Sequence, residues 1–244
     1  MIQTHDAALS TDYVRKSGSR NRIVSFEGLI DGVGLWAESP TRRELAGRPA
    51  LFLDRDGVIV EETHYLSRAE DMVMIPGVAE AIAKANAREI PVIVVTNQAG
   101  IARGYYGWED FAKVQAAIIA ALAAAGATLD VVLACGYHGV GTGPLAVADH
   151  AWRKPNCGML DYAAERHGID LSRSWIVGDK VSDLEAGLKA GLAGGFLVRT
   201  GHGEAEAGSM PLARAPFLDG TFAAGVRDNA GIAIGELLHD HRLG

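Results

Sequence analysis

The sequence predicts an α/β fold, a doubly wound and mostly parallel sheet with helices on both faces. Five short apolar runs, helical patterns between them, and polar residues closing the runs carry that prediction. The first run, Ala50-Leu51-Phe52-Leu53, ends in Asp54, and the second, Val92-Ile93-Val94-Val95, ends in Thr96. The third runs from Leu129 to Ala134 and stops at Cys135. Trp175-Ile176-Val177 ends in Gly178-Asp179, and Gly195-Phe196-Leu197-Val198 ends in Arg199. Apolar runs without polar alternation suit strands buried on both faces. Between them, Val78, Ala81, Ile82 and Ala85 follow a helical period, as do Phe111, Val114, Ile118, Ala121 and Leu122. Weaker helical patterns cover 159–166 and 184–190. In such sheets ligands bind beyond the carboxyl ends of the strands. Asp54, Thr96 and Asp179 therefore belong to one rim.

Length and charge narrow the function. The 244 residues suit one domain, and a net charge of −7 opposes a broad grip on nucleic acid or an anionic membrane. A small anionic substrate remains open, because a few placed cations outweigh the global field. Two cysteines, Cys135 and Cys157, are too few for a disulfide framework and fit a reducing compartment. Residues 1–18 lack an apolar signal core. The most apolar stretch, 116–134, is interrupted by Gly126 and Asp130. A cytoplasmic chain that crosses no membrane, a monomer or small homo-oligomer, is the expectation. Residues 1–48 read as an N-terminal extension, partly ordered against a domain spanning 49–244. Within the extension Ile23-Val24-Ser25-Phe26 reads as a short strand and Leu35-Trp36 as an anchor. Further on, Gly203 to Ser209 reads as a loop.

Four clusters carry chemistry. Asp54-Arg55-Asp56-Gly57 sets two carboxylates two residues apart at a strand end, where a glycine lets the chain turn. Like charges that close need a cation or a shared proton, and Mg²⁺ takes such carboxylates together with phosphate oxygens. Thr96-Asn97-Gln98 after the second run offers a hydroxyl, an amide and backbone N–H groups to phosphate, and Arg103 adds a cation. Arg153-Lys154-Pro155 places two cations at a loop-to-helix junction. In Gly178-Asp179-Lys180-Val181-Ser182-Asp183, Asp179 can complete a metal site. Asp183 can orient a ligand, a water or Lys180, and can also complement a helix dipole. Taken singly, these clusters are also an Asp-Gly turn, a helix cap, a solvated basic pair and a helix start. Their order along successive strand ends is the specific feature.

That order resembles the haloacid dehalogenase-like phosphohydrolase superfamily over roughly residues 50–201. The first three clusters are similar to the branch containing the heptose-bisphosphate and histidinol-phosphate phosphatases. The resemblance implies that Asp54 attacks phosphorus to form an aspartyl-phosphate, with Asp56 as general acid and then base. It implies Mg²⁺ on Asp54, Asp179 and the Asp56 main-chain carbonyl, and Thr96, the Asn97 N–H and Lys154 on the phosphate oxygens. The spacings from Asp54 to Thr96 and from Thr96 to Lys154 leave no room for a large cap domain. Substrate choice then falls to loops 61–68, 99–106 and 135–152. Arg103, Arg153 and Lys180 are the candidates for a second phosphate or another polar group of a small phosphorylated metabolite, such as a sugar bisphosphate.

One departure stands out. The heptose-bisphosphate branch carries a zinc knuckle before Arg-Lys-Pro, whereas here Tyr137 and Trp152 occupy ligand positions. Cys135, His138 and His150 are left as a partial zinc site, short of the four ligands a structural zinc takes. The expected state is a metal-free loop held by Tyr137, Trp152 and hydrogen bonds. Two other readings share these residues, a histidinol-phosphate-type phosphatase and a non-catalytic, Mg²⁺-binding receiver-like module phosphorylated on Asp54. Asp56 separates them, because a placed acid/base shortens the life of an acyl phosphate.

Overall fold

The structure, a computed structural model, describes residues 28–209 and 222–243. The strand expected at 23–26 lies outside them. Seven strands form one sheet: β1 (Leu35–Glu38), β2 (Leu51–Leu53), β3 (Val92–Asn97), β4 (Val131–Cys135), β5 (Trp175–Gly178), β6 (Gly194–Val198) and β7 (Ala223–Arg227). Their spatial order is β1-β4-β3-β2-β5-β6-β7. Every pairing is parallel except β1 with β4, which is antiparallel. β2 lies between β3 and β5, so the connections leave it in opposite directions. The crevice above its carboxyl end is the switch point where such sheets take ligands.

β2, β4, β5 and β6 are buried along their whole lengths, as unbroken apolar runs require. Alternate residues feed two cores. Leu51, Leu53, Val92 and Val94 face α1 (Val78–Ala87), α3 (Trp108–Ala124) and α7 (Ala230–His239). Phe52, Ile93 and Val95 face α4 (Gly158–His167) and α5 (Val181–Lys189). One further short helix, α2 (Ala99–Ala102), follows β3 directly. Among the described residues no cap domain is inserted between these elements. Among the described residues no helix is long and apolar enough to cross a membrane.

One expectation needs correction. Gly203–Ser209 is a helix, α6, not a loop. Its first residue must be small, because a Cβ at Gly203 would collide with the carbonyl of Val198. The tail, which carries no strong pattern in the sequence, adds β7 and α7. β7 is a small-residue edge strand, half open to solvent. The apolar stripe of α7, Ala233, Ile234, Leu237 and Leu238, is interleaved with Gly231 and Gly235. At the other edge, Trp36 of β1 is buried and stacks on Trp108 with ring centroids 5.7 Å apart. Tertiary burial, not local pattern, sets these outer elements.

Candidate active site

The parallel strands deliver their terminal side chains to one point. Asp54 follows β2, and Asp179 follows β5, its hydrogen-bonded neighbour. Asp183 sits in the first turn of α5, where its Oδ2 accepts the Lys180 backbone N–H at 3.0 Å. The carboxylate oxygens of Asp54, Asp179 and Asp183 lie within 4.8 Å of one another, and all three residues are buried. Lys154 enters from the loop before α4 and is itself buried. Its Nζ lies 3.1 Å from Asp54 Oδ1 and 2.5 Å from Asp183 Oδ1, and donates to the Val95 carbonyl at 2.7 Å. Its backbone is clipped on both sides by Asn97, whose amide donates to the Lys154 carbonyl at 3.0 Å and accepts its N–H at 3.1 Å.

Burial and charge set the protonation of this cluster. Burial by itself raises the Asp54 carboxyl, but Lys154, Lys180 and the Arg55 backbone N–H outweigh it and hold Asp54 below the usual range. Burial and then the Asp54 charge push Asp179 up to about 6, against the pull of Lys180. Asp183 is also raised, by burial and by Asp54, against Lys154. Burial opposes the charge of Lys154, yet Asp183 and Asp54 hold its proton more firmly than usual.

The donor set suits a hard divalent cation. Asp179 Oδ1 is buried without a hydrogen-bond donor, with Lys180 Nζ 3.7 Å away. Two glycines in the left-handed region, Gly57 (φ 81°) and Gly201 (φ 60°), close over this carboxylate, and a Cβ on either would run into it. Three carboxylates and a main-chain turn in a glycine cradle are oxygen ligands of the kind Mg²⁺ takes.

Above this base opens a cleft of about 480 Å³, lined among others by Asp56, Asn97, Arg103, Arg153, Lys154 and Lys180. Thr96 is buried beneath it, its Oγ1 accepting from Gln98 Nε2 at 2.9 Å. Asp56 stands apart from the three-carboxylate cluster. Arg55 Nη2 donates to both its oxygens at 3.0 Å, and Gln98 Nε2 donates to Oδ2 at 2.9 Å. Arg103 donates to the Tyr65 hydroxyl at 2.6 Å, and its Nε is buried without an acceptor.

Cys135, His138 and His150 are not brought together as a metal site. Among the described residues the only gathering of three or more such ligands is Asp54, Asp179 and Asp183. Cys135 is buried in β4, and burial pushes its thiol up to about 11. His138 and His150 each spend Nδ1 on accepting a backbone N–H two residues on, from Val140 and Trp152. Tyr137 stacks on His150 with centroids 4.2 Å apart.

Several residues of the site take roles that the sequence alone does not show. Arg55 and Gln98 orient Asp56, and Tyr106 donates its hydroxyl to Gln98 Oε1. His202 donates its backbone N–H to Asp179 Oδ2 at 2.8 Å, and its Nδ1 lies 3.1 Å from the same oxygen. Glu62, His64 and Tyr65, in the loop 61–68 expected to shape substrate choice, wall the cleft. Arg55 carried a signal, a cation set between two strand-end carboxylates. His202 carried none, because its place depends on Gly201 bringing the chain back against Gly57.

The HAD-hydrolase-like family matches residues 151–219. A D-glycero-beta-D-manno-heptose-1,7-bisphosphate 7-phosphatase of Mesorhizobium japonicum is 52% identical over 166 residues, covering 68% of this chain and 76% of the relative. A crystal structure described as a HAD-like phosphatase from Mesorhizobium loti is 46% identical, with TM-score 0.73, over 84% of this chain and 92% of that one. The D,D-heptose 1,7-bisphosphate phosphatase of B. bronchiseptica, solved with magnesium and phosphate, is 29% identical, with TM-score 0.68, over 79% of this chain and 99% of that one.

Proposed function

The chain belongs to the haloacid dehalogenase-like phosphatases, and from that premise we propose that it is a cytoplasmic, Mg²⁺-dependent enzyme that removes the 7-phosphate of D-glycero-D-manno-heptose 1,7-bisphosphate. The observation that carries this reading is the buried triad of carboxylates with Lys154 threaded into it, at the base of a cationic cleft. Relatives named for that substrate support the choice of sugar.

Asp54, Asp179 and the main-chain carbonyl of Asp56 would hold the metal. When bound, Mg²⁺ offsets the charge of nucleophile and phosphate together. Asp54 is kept ionised by Lys154, so an oxygen lone pair is free to form the O–P bond as the bond to the sugar oxygen breaks. Asp56, aimed by Arg55 and Gln98, gives its proton to the leaving alkoxide and then takes one from the water that displaces Asp54 from phosphorus. Lys154, Thr96 and the Asn97 N–H receive the phosphoryl oxygens. Two unit charges about 4 Å apart interact by about 4 kcal/mol at an effective dielectric near 20, so a dianion needs these cations before it can approach Asp54. Arg103, Arg153 and Lys180 take the second phosphate or the sugar hydroxyls, and the cleft has the volume of a small-metabolite site.

A phosphatase screen with Mg²⁺ over phosphorylated sugars, histidinol phosphate and nucleotides tests this reading. Heptose 1,7-bisphosphate, as one or both anomers, should be the best substrate, and EDTA should stop its hydrolysis. Hydrolysis confined to nucleotides or to histidinol phosphate would overturn the substrate class.

The elevated Asp179 gives a pH signature. The folded carboxyl holds its proton up to about pH 6, while the unfolded one releases it near 3.8. The metal-free fold therefore loses this contribution as pH rises through that window. Mg²⁺ takes the deprotonated form and works in the opposite direction. The rise in melting temperature on adding Mg²⁺ should be larger at pH 7.5 than at pH 5. Equal shifts at both pH values would contradict Asp179 as a ligand.

A further inference from the structure

The segment that supplies β1 also reaches Tyr137, at the start of the loop that carries Arg153 to the cleft. Resting on the sugar-bisphosphate reading above, we propose that Asp31 and Tyr137 are positioning residues that set Arg153 for the phosphate not being hydrolysed.

The chain of contacts starts at one carboxylate. Asp31 Oδ1 accepts the backbone N–H groups of Val33, Gly34 and Leu35, each at 2.9 Å, which fixes the turn leading into β1. Asp31 Oδ2 accepts the Tyr137 hydroxyl at 2.6 Å. Burial opposes the Asp31 charge, but the Tyr137 hydroxyl and the three N–H groups hold the carboxyl below its usual value. The Tyr137 ring packs against Gly34, where a Cβ would come within 2.6 Å of the ring, and it stacks on His150. The turn backbone joins in, since the Gly136 N–H donates to the Gly34 carbonyl at 2.8 Å.

Tyr137 passes this order on. Its carbonyl accepts from Arg153 Nη1 at 3.1 Å, and the Arg153 N–H donates to the His150 carbonyl at 2.9 Å. Arg153 is thus held at both ends of the loop that begins at Tyr137.

Arg153 has the environment of a cation waiting for an anion. It lines the cleft with Arg103, and among the described residues neither forms an ion pair with a carboxylate. Burial and the nearby Arg103 both work against the Arg153 charge. A guanidinium desolvated beside another cation favours a phosphate dianion, and its planar fork takes one in a fixed orientation. Asp31 and Tyr137 touch no reacting atom. Their effect passes through Arg153 and belongs in substrate affinity, not in turnover.

The test compares heptose 1,7-bisphosphate with heptose 7-phosphate, which lacks the second phosphate. Tyr137→Phe keeps the ring and its stacking and removes only the hydroxyl. It should raise KM for the bisphosphate about tenfold, the scale of one hydrogen bond to a charged group, with kcat and the KM for the monophosphate unchanged. Asp31→Ala should do the same or more. Asp31→Asn should stay near wild type, because its amide keeps an oxygen for the turn and a donor for the phenol oxygen. If the wild-type protein prefers the bisphosphate and Tyr137→Phe keeps that preference, the positioning inference fails. Equal rises in KM for both substrates would mean a general loss of structure and would also overturn it. A wild-type protein with no preference for the bisphosphate would overturn the reading of the cleft, and the inference with it.

Discussion

Asp54→Asn should lower phosphatase turnover by at least about 10³-fold while the protein stays folded, on the scale at which removing a nucleophile acts. The substitution keeps the side-chain shape at the end of β2 and removes the oxygen proposed to attack phosphorus. It also removes one of three neighbouring negative charges from the buried base. That relieves Asp179 and Asp183, both raised in part by Asp54, and offsets the loss of the pairing with Lys154. The metal-free melting temperature should therefore move by only a few degrees, within about 1 kcal/mol. The stabilisation by Mg²⁺ should shrink, because a ligand is gone. Turnover near wild type would remove Asp54 from the nucleophile's place.

Lys154→Met should be the more damaging change, because it strikes stability as well as chemistry. Lys154 Nζ touches Asp54, Asp183 and the Val95 carbonyl at once in a nearly dry setting. Methionine fits the length of the side chain but leaves two buried carboxylates facing each other without their cation. Breaking a buried pair from one side costs about 3–5 kcal/mol. For a chain of this size that lowers the melting temperature by roughly 10 °C. Acid should restore part of the loss. Asp183 already binds its proton more tightly folded than unfolded, so stability rises as pH falls toward the ordinary carboxylate value. Lys154→Arg should not rescue activity, since a planar fork cannot make three converging contacts from one nitrogen. An unchanged melting temperature in Lys154→Met would show that the carboxylates balance themselves without it.

Much of the fold was legible in the sequence for one physical reason. Strands of a parallel sheet are buried on both faces, so β2, β3, β4, β5 and β6 appear as apolar runs, and their polar terminators mark the rim. The same geometry made Asp54, Asp179 and Lys154 readable, because each lies next to a run or beside a proline. The outer elements were not readable. β7 is an edge strand that opens on Ala223-Ala224-Gly225, α6 opens on a glycine, and the stripe of α7 is diluted by Gly231 and Gly235. Residues that act through tertiary approach were equally hidden. Arg55 and Gln98 gain their meaning only when both reach the Asp56 carboxylate, and Asp31 only when its turn meets Tyr137, more than a hundred residues away. Cys135, His138 and His150, left by the sequence as a partial zinc set, are not gathered in space among the described residues, and Nδ1 of each histidine accepts a backbone N–H.

The central claim is that a Mg²⁺-dependent attack by Asp54 releases the phosphate at position 7 of a heptose bisphosphate. Phosphorus NMR of heptose 1,7-bisphosphate incubated with the protein and Mg²⁺ tests it most directly. The primary ester signal at position 7 should disappear into inorganic phosphate, the anomeric phosphate signal should persist, and EDTA should halt the change. Loss of the anomeric phosphate first, or release that continues in EDTA, would contradict the account.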